Sequence, residues 1–276
     1  MSSTDFGAAG QPEVPLLGGD VSDGLVRKGA TVRRPRGGHS PAVEAYLAHL
    51  EATGFDGAPR FLGIDAAGRE VVTFVDGEMG GRPVHRWAVT EDVLVDLAVL
   101  QRRLHDVSAD VPLPDGVSWP ERIEFDGVPR VFDAPDVIGH NDVTIENVIF
   151  SEGRPVALID FDMAGPSTRL LDVATTLLYW APVRPPERRD PALADVDTGR
   201  RMRIFAEAYG LDRSERLHLV EVLDRRFARS YLAMEHAART KGGGWARMWD
   251  EGVGETILVT HAWLLEEREA LSSALR

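Results

Sequence analysis

The sequence predicts a two-lobed α+β protein: a small antiparallel sheet with one helix, a hinge, and a larger, mostly helical lobe. Three observations lead there. Short strand-like runs separated by glycine turns fill residues 14–75. A glycine-rich break follows, Asp76-Gly77-Glu78 and then Gly80-Gly81. Beyond it, apolar residues recur mostly at helical spacing. The expected division is a disordered tail at 1–13, an N-lobe at 14–78 ending in the hinge, and a helical C-lobe at 79–276.

In the N-lobe, strands are expected at Val14–Leu17, Leu25–Arg27 and Thr31–Arg34, the last closed by Pro35. The glycine loop between the first two, with Gly18 and Gly19, can bring backbone N–H groups to phosphates; its plain alternative is a turn. Alternation along the third strand puts Arg33 and Arg34 on opposite faces, so one of them points into a cleft; Arg33 is the expected one. Ser40 is read as a helix cap with Pro41 at the first position, Val43, Leu47 and Leu50 as the buried face, and Gly54 as the stop. Glu44 beside that face is either a partner for Arg33 or a surface residue. Two further strands, Arg60–Asp65 and Glu70–Val75, lead to the break, where backbone groups beside Phe74 and Asp76 are placed to meet a nucleobase edge.

In the C-lobe, Thr90 to His105 repeats Val93, Leu97, Leu100 and Leu104 on one face, with acidic residues first and Arg102 and Arg103 last. His105-Asp106 with His85 imitates a metal phosphohydrolase set, although a histidine at a core helix end is usually structural. A further apolar helix starts at Leu171, Pro182 to Asp190 is a charged loop, and Leu217, Val220, Leu223, Phe227, Tyr231 and Met234 mark a long helix from Ser214. Gly242-Gly243-Gly244 interrupts it, and a final helix is expected over Glu255–Leu275. Glu207, Glu235, Asp250 and Glu266 are acidic candidates for substrate contact, with nothing to single one out.

The chemistry concentrates between Val137 and Ala174. His140-Asn141-Asp142 and Asn147 precede a short apolar strand, Val156–Ile159, that ends in Asp160. A carboxylate there is costly to bury unless a cation meets it. Hard divalent cations take oxygen ligands from Asp and Asn. One carboxylate can then receive a hydroxyl proton while an amide and a second carboxylate hold metal ions against phosphates, the parts that phosphoryl transfer needs. The order and spacing H-N-D-V-T-I-E-N, then I-D-F-D, parallel the kinase pattern H-R-D-x-x-x-x-N and D-F-G. Asp172, inside an apolar helix start, also needs partners, and the N–H groups of the 140–142 loop are candidates.

These motifs, with L-D-V-A at Leu171–Ala174, V-R-R at 32–34 and F-x-x-G-E at Phe74, Gly77 and Glu78, resemble the aminoglycoside phosphotransferase family over residues 14 to about 180. That family is the small-molecule branch of protein-kinase-like folds and includes choline-kinase-like and fructosamine-kinase-like enzymes. The resemblance implies that Asp142 is the catalytic base or hydroxyl-orienting group, that Asn147 and Asp160 bind Mg2+, that His140 and Asp172 support the loop, and that Arg33 replaces the nucleotide-gripping lysine. ATP or GTP would be the donor and a small-molecule hydroxyl the acceptor.

Composition narrows the partners. The net charge of −13 and pI near 5.1 argue against nucleic acid; they suit either a cationic acceptor such as an aminoglycoside or solubility alone. No 18-residue apolar run suggests a membrane span, no signal peptide is evident, and the chain has no cysteine, which fits a cytoplasmic enzyme. Antibiotic resistance and housekeeping metabolism (a choline-, fructosamine- or nucleoside-like substrate) remain competing roles, and a kinase-like binder without catalysis is the alternative from another class.

Overall fold

The structure, a computed structural model, describes residues 6, 10–16, 24–120 and 123–276. The first lobe holds β1 (Val14–Pro15), β2 (Val26–Lys28), β3 (Thr31–Arg34), α1 (Ser40–Ala52), β4 (Phe61–Ile64) and β5 (Glu70–Thr73). Its sheet runs β1-β2-β3-β5-β4 and is antiparallel throughout. α1 buries Val43, Tyr46, Leu47 and Leu50, and Gly54 ends it in a left-handed conformation at φ +77°. Its cap position is His39 rather than Ser40. Ser40 is the first helical residue, and its hydroxyl instead accepts the Gly37 N–H at 2.9 Å, closing the preceding turn. Glu13, from the tail segment, pairs with Arg69 at 2.6 Å. Gly18 and Gly19 lie outside the described residues.

The larger lobe follows through β6 (Glu78–Met79), α2 (Glu91–Asp106), β7 (Val137–Gly139), β8 (Val148–Ser151), β9 (Arg154–Leu158), β10 (Gly165–Ser167) and α3 (Arg169–Trp180). It ends with α4 (Thr198–Tyr209), α5 (Arg213–Thr240), α6 (Gly243–Asp250), α7 (Val253–Glu266) and α8 (Arg268–Ala274). Small antiparallel-sheet lobe plus helical bulk is the architecture expected from the sequence. β6 pairs with β8, Glu78 opposite Phe150, so the chain is tied to the larger lobe as soon as it leaves the smaller one. Gly77 allows this approach: a Cβ there would stand 2.5 Å from the Phe150 carbonyl oxygen, and its φ is +150°.

α2 is the core of the larger lobe. Leu94, Leu97, Ala98 and Leu104 are fully buried, Thr90 caps its start by accepting the Val93 N–H, and acidic residues occupy its first turn. α5 starts with a capping box between Asp212 and Glu215. Two expectations shift. The final helix is interrupted at Glu267, which caps the end of α7 and the start of α8. α4, which the apolar pattern did not single out, packs against α2 through Met202, Phe205 and Ala206.

Candidate active site

β7 leads into His140, and β8 starts just after Asn147; the loop between them carries the polar residues. Asn147 is buried and donates its amide to the Asp142 backbone carbonyl at 2.9 Å and to the Asp142 carboxylate at 3.1 Å. The backbone carbonyl of Asn147 accepts the Ile159 N–H at 2.9 Å, which sets Asp160 beside it at the end of the β8–β9 hairpin. Asp160 is left-handed at φ +62°, and Asn141 at φ +61°. Asn and Asp are the non-glycine residues that adopt this region most readily, since their short polar side chains can bond locally.

Burial pushes the Asp142 carboxyl above its ordinary value; the adjacent Asp160 adds to this, while His140, Arg226 and Asn147 oppose it. Burial also raises Asp160, Asp162 raises it further, and Arg34 opposes. Two half-buried carboxylates thus lie within each other's field. Among the described residues no group of three His, Cys, Asp or Glu side chains forms a metal cage. Mg2+ commonly uses one or two carboxylates and completes its shell with water and phosphate oxygens. Asp160 and the Asn147 amide oxygen, with Asp142 close by, fit such a donor set.

The loop is held from beneath by Asp172, which is fully buried on α3. Its carboxylate accepts the His140 N–H at 3.0 Å, the Asn141 N–H at 2.6 Å, His105 Nε2 at 2.8 Å and Gln101 Nε2 at 3.2 Å. Burial alone would raise its pKa; the His105 hydrogen bond leads the opposing effects, and the net direction is down. Gly139 gives the carboxylate room, since a Cβ there would stand 3.0 Å from Asp172 Cγ. His140 is fully buried with Nε2 3.0 Å from the Ile159 carbonyl; burial lowers its pKa, so the imidazole is neutral at pH 7. His105 bonds Asp172 and, through Nδ1 at 2.7 Å, Tyr209. That is a structural post, whereas His85 is exposed and stacks on Trp87.

The nucleotide-side residues divide. Arg33 does not reach the loop: its Nε lies 3.5 Å from Asp65 and it donates to Thr31, on the far face of β3. Arg34 is the residue that faces Asp160, at 3.6 Å, and it bonds Glu70 and Asp162. The expectation for Arg33 is corrected by register, because Arg34 stands opposite Glu70 and Arg33 opposite Val71. Glu44 likewise pairs with Arg36 rather than Arg33. Phe74 lies under the Arg27 guanidinium, 3.6 Å from its ring centroid, and Asp76 is exposed with Arg27 at 3.8 Å. Asp162, Glu70 and Arg226 were not anticipated. The second aspartate of I-D-F-D was the available signal for Asp162; Glu70 and Arg226 carry none in the sequence.

Residues 116–205, which include the whole loop, match the model of the phosphotransferase enzyme family, APH. A curated protein of similar length, the trifolitoxin immunity protein of Rhizobium leguminosarum bv. trifolii, is 28% identical over 273 residues, 95% of this chain and 98% of that protein. Solved structures share the fold at low identity. A choline/ethanolamine kinase family protein from Mesorhizobium loti matches with a TM-score of 0.62 and 15% identity over 98% of this chain and 94% of its own. Amicoumacin kinase hAmiN, in complex with AMP-PNP and Ca2+, gives 0.60 and 13% over 92% and 88%. The GDP complex of aminoglycoside 2'-phosphotransferase-IIIa gives 0.58 and 14% over 91% and 93%. The chain therefore has the kinase-like fold that these structures share.

Proposed function

We propose that the protein is a Mg2+-dependent phosphotransferase that moves the γ-phosphate of ATP or GTP to a hydroxyl of a small molecule. The observation that carries this reading is the Asn147 junction, where one residue binds Asp142 through its side chain and the strand leading to Asp160 through its backbone. Asp142 orients the acceptor hydroxyl and takes its proton. Asn147 and Asp160 hold the metal, which when bound neutralises charge on the β- and γ-phosphates. His140 and Asp172 keep the loop rigid, and Arg34 takes the cationic position beside the phosphates. Phe74 and Asp76, with the Gly18-Gly19 loop, belong to the nucleotide side, so that residues 14–78 form the nucleotide lobe and 79–276 the acceptor lobe.

The relatives supply two acceptor classes. An immunity protein and an antibiotic kinase favour protection against an antimicrobial, which includes aminoglycosides and amino sugars; a choline/ethanolamine kinase neighbour favours a metabolite. No described helix is long and apolar enough to cross a membrane, and the nucleotide donor points to the cytoplasm. The deciding experiment measures ATP and GTP consumption with Mg2+ over amino sugars, aminoglycosides, nucleosides, hydroxy acids and choline-like alcohols. One acceptor should stimulate consumption, and EDTA should abolish it. Nucleotide binding with no turnover on any acceptor, at any divalent cation, would replace this reading with a non-catalytic binder.

A further inference from the structure

α3 carries a stripe that begins at Asp172 and continues through Thr175 to Tyr179, residues three and four apart on one helix face. The same helix touches the catalytic loop again, where Trp180 Nε1 donates to the Val143 carbonyl at 2.9 Å, next to Asp142. α5 packs against this stripe and sets Arg226 on it: Arg226 Nε donates to Thr175 Oγ1 at 3.0 Å and one terminal nitrogen to Ser230 Oγ at 3.4 Å. Arg184 lies 5.9 Å from the Tyr179 ring centroid and donates to the Leu178 carbonyl at 3.4 Å. Asp142, Arg184 and Arg226 all act electrostatically on Tyr179, and Arg226 also acts on Asp142.

The charges of this group do not balance internally. Neither Arg184 nor Arg226 has a carboxylate within ion-pair distance among the described residues, although neighbours on the same helix do: Arg225 pairs with Glu221 and Arg229 with Glu124. Among the described residues, the second terminal nitrogen of Arg226 and the Tyr179 hydroxyl make no hydrogen bond. Glu146, the other carboxylate felt by Tyr179, is already paired with Arg82 at 2.5 Å. Burial lowers the Arg226 pKa, with Tyr179, Asp142 and Asp172 acting against it. A partly buried guanidinium that has donors to spare and no carboxylate partner is suited to meet an anion.

We infer that the acceptor is a hydroxylated acid, its hydroxyl at Asp142 and its carboxylate or phosphate gripped by Arg226 and Arg184 beside Tyr179. The inference takes only the position of the hydroxyl from the phosphotransfer reading. It also reverses the expectation drawn from net charge: the chain is acidic overall, but the wall beside Asp142 is cationic. Arginine suits this task, because its planar fork meets a carboxylate or phosphate with two parallel hydrogen bonds.

Binding decides it without need of turnover. The full chain is titrated with glycerate, glycerol 3-phosphate and choline, with Mg2+, both with and without AMP-PNP. At least one of the two acids should bind saturably and choline should not; which acid binds separates carboxylate from phosphate. Arg226→Met should weaken that acid at least tenfold, Arg226→Lys less, and Arg184→Met at least threefold. Should Arg226→Met unfold, Arg184→Met carries the test, since it removes no contact between helices. Absence of saturable acid binding, tighter binding of choline, or acid affinity unchanged in both Met variants would overturn the inference. Failure of AMP-PNP itself to bind would count against the phosphotransfer reading alone and leave the acid titrations to judge this one.

Discussion

Arg34 and Glu70 stand opposite each other across β3 and β5 and pair face to face, with Asp162 on the other side of the guanidinium. Glu70 is 1% exposed, and its second oxygen is buried without a protein partner. The carboxylate that positions the β3 cation thus comes from the sheet, while the helix glutamate, Glu44, is engaged by Arg36. Replacing Arg34 by Met should raise the nucleotide KM roughly tenfold or more, the loss of one charge-assisted contact. Arg33→Met should instead cost about 1–3 kcal/mol of stability with little change in nucleotide KM. Steady-state kinetics and denaturant unfolding on both variants separate the two roles.

Asp142→Ala should lower kcat by about a hundredfold to ten-thousandfold, the usual contribution of a positioned acid–base group. Nucleotide affinity, measured by calorimetry, should stay nearly intact. Equal turnover in the variant would remove Asp142 from the reaction.

Asp172 links stability to pH. Its folded pKa lies below the ordinary carboxylate value of about 3.9. A depressed carboxylate stabilises the fold above its unfolded pKa, and that contribution fades as pH falls below about 4 towards the folded value. Unfolding free energy should therefore drop over this acid range in the wild type, and the drop should shrink in Asp172→Asn. At pH 7 the same variant should lose about 3–5 kcal/mol, because His105 and two loop N–H groups lose their charged partner.

Trp180→Phe keeps an aromatic ring, although a smaller one, and removes the donor to Val143. A buried carbonyl left without a partner costs about 1–3 kcal/mol. Because Val143 follows Asp142, kcat should fall as well, by a larger factor than KM changes. A variant with wild-type kcat would show that α3 does not hold the loop through this bond.

The motif residues were legible in the sequence because each is defined by local chemistry: His140, Asp142 and Asn147 lie in the loop before the β8–β9 hairpin and Asp160 just after it, in an order and spacing set by the chain itself. Lobe order and the α2 face were legible for a similar reason, since strand and helix periodicities are short-range. What the sequence left open was which of two adjacent arginines faces the loop. Alternation puts Arg33 and Arg34 on opposite sides, and only the pairing of β3 with β5 chooses between them. Glu70 and Arg226, 36 residues after Arg34 and 84 after Asp142, enter the site through sheet register and helix packing. By itself, then, the sequence determined the loop, the residues it carries and the kind of fold. Tertiary structure alone decided the charges around that loop, because a long-range ion pair depends on which faces meet and not on the residues that lie next to it in the chain.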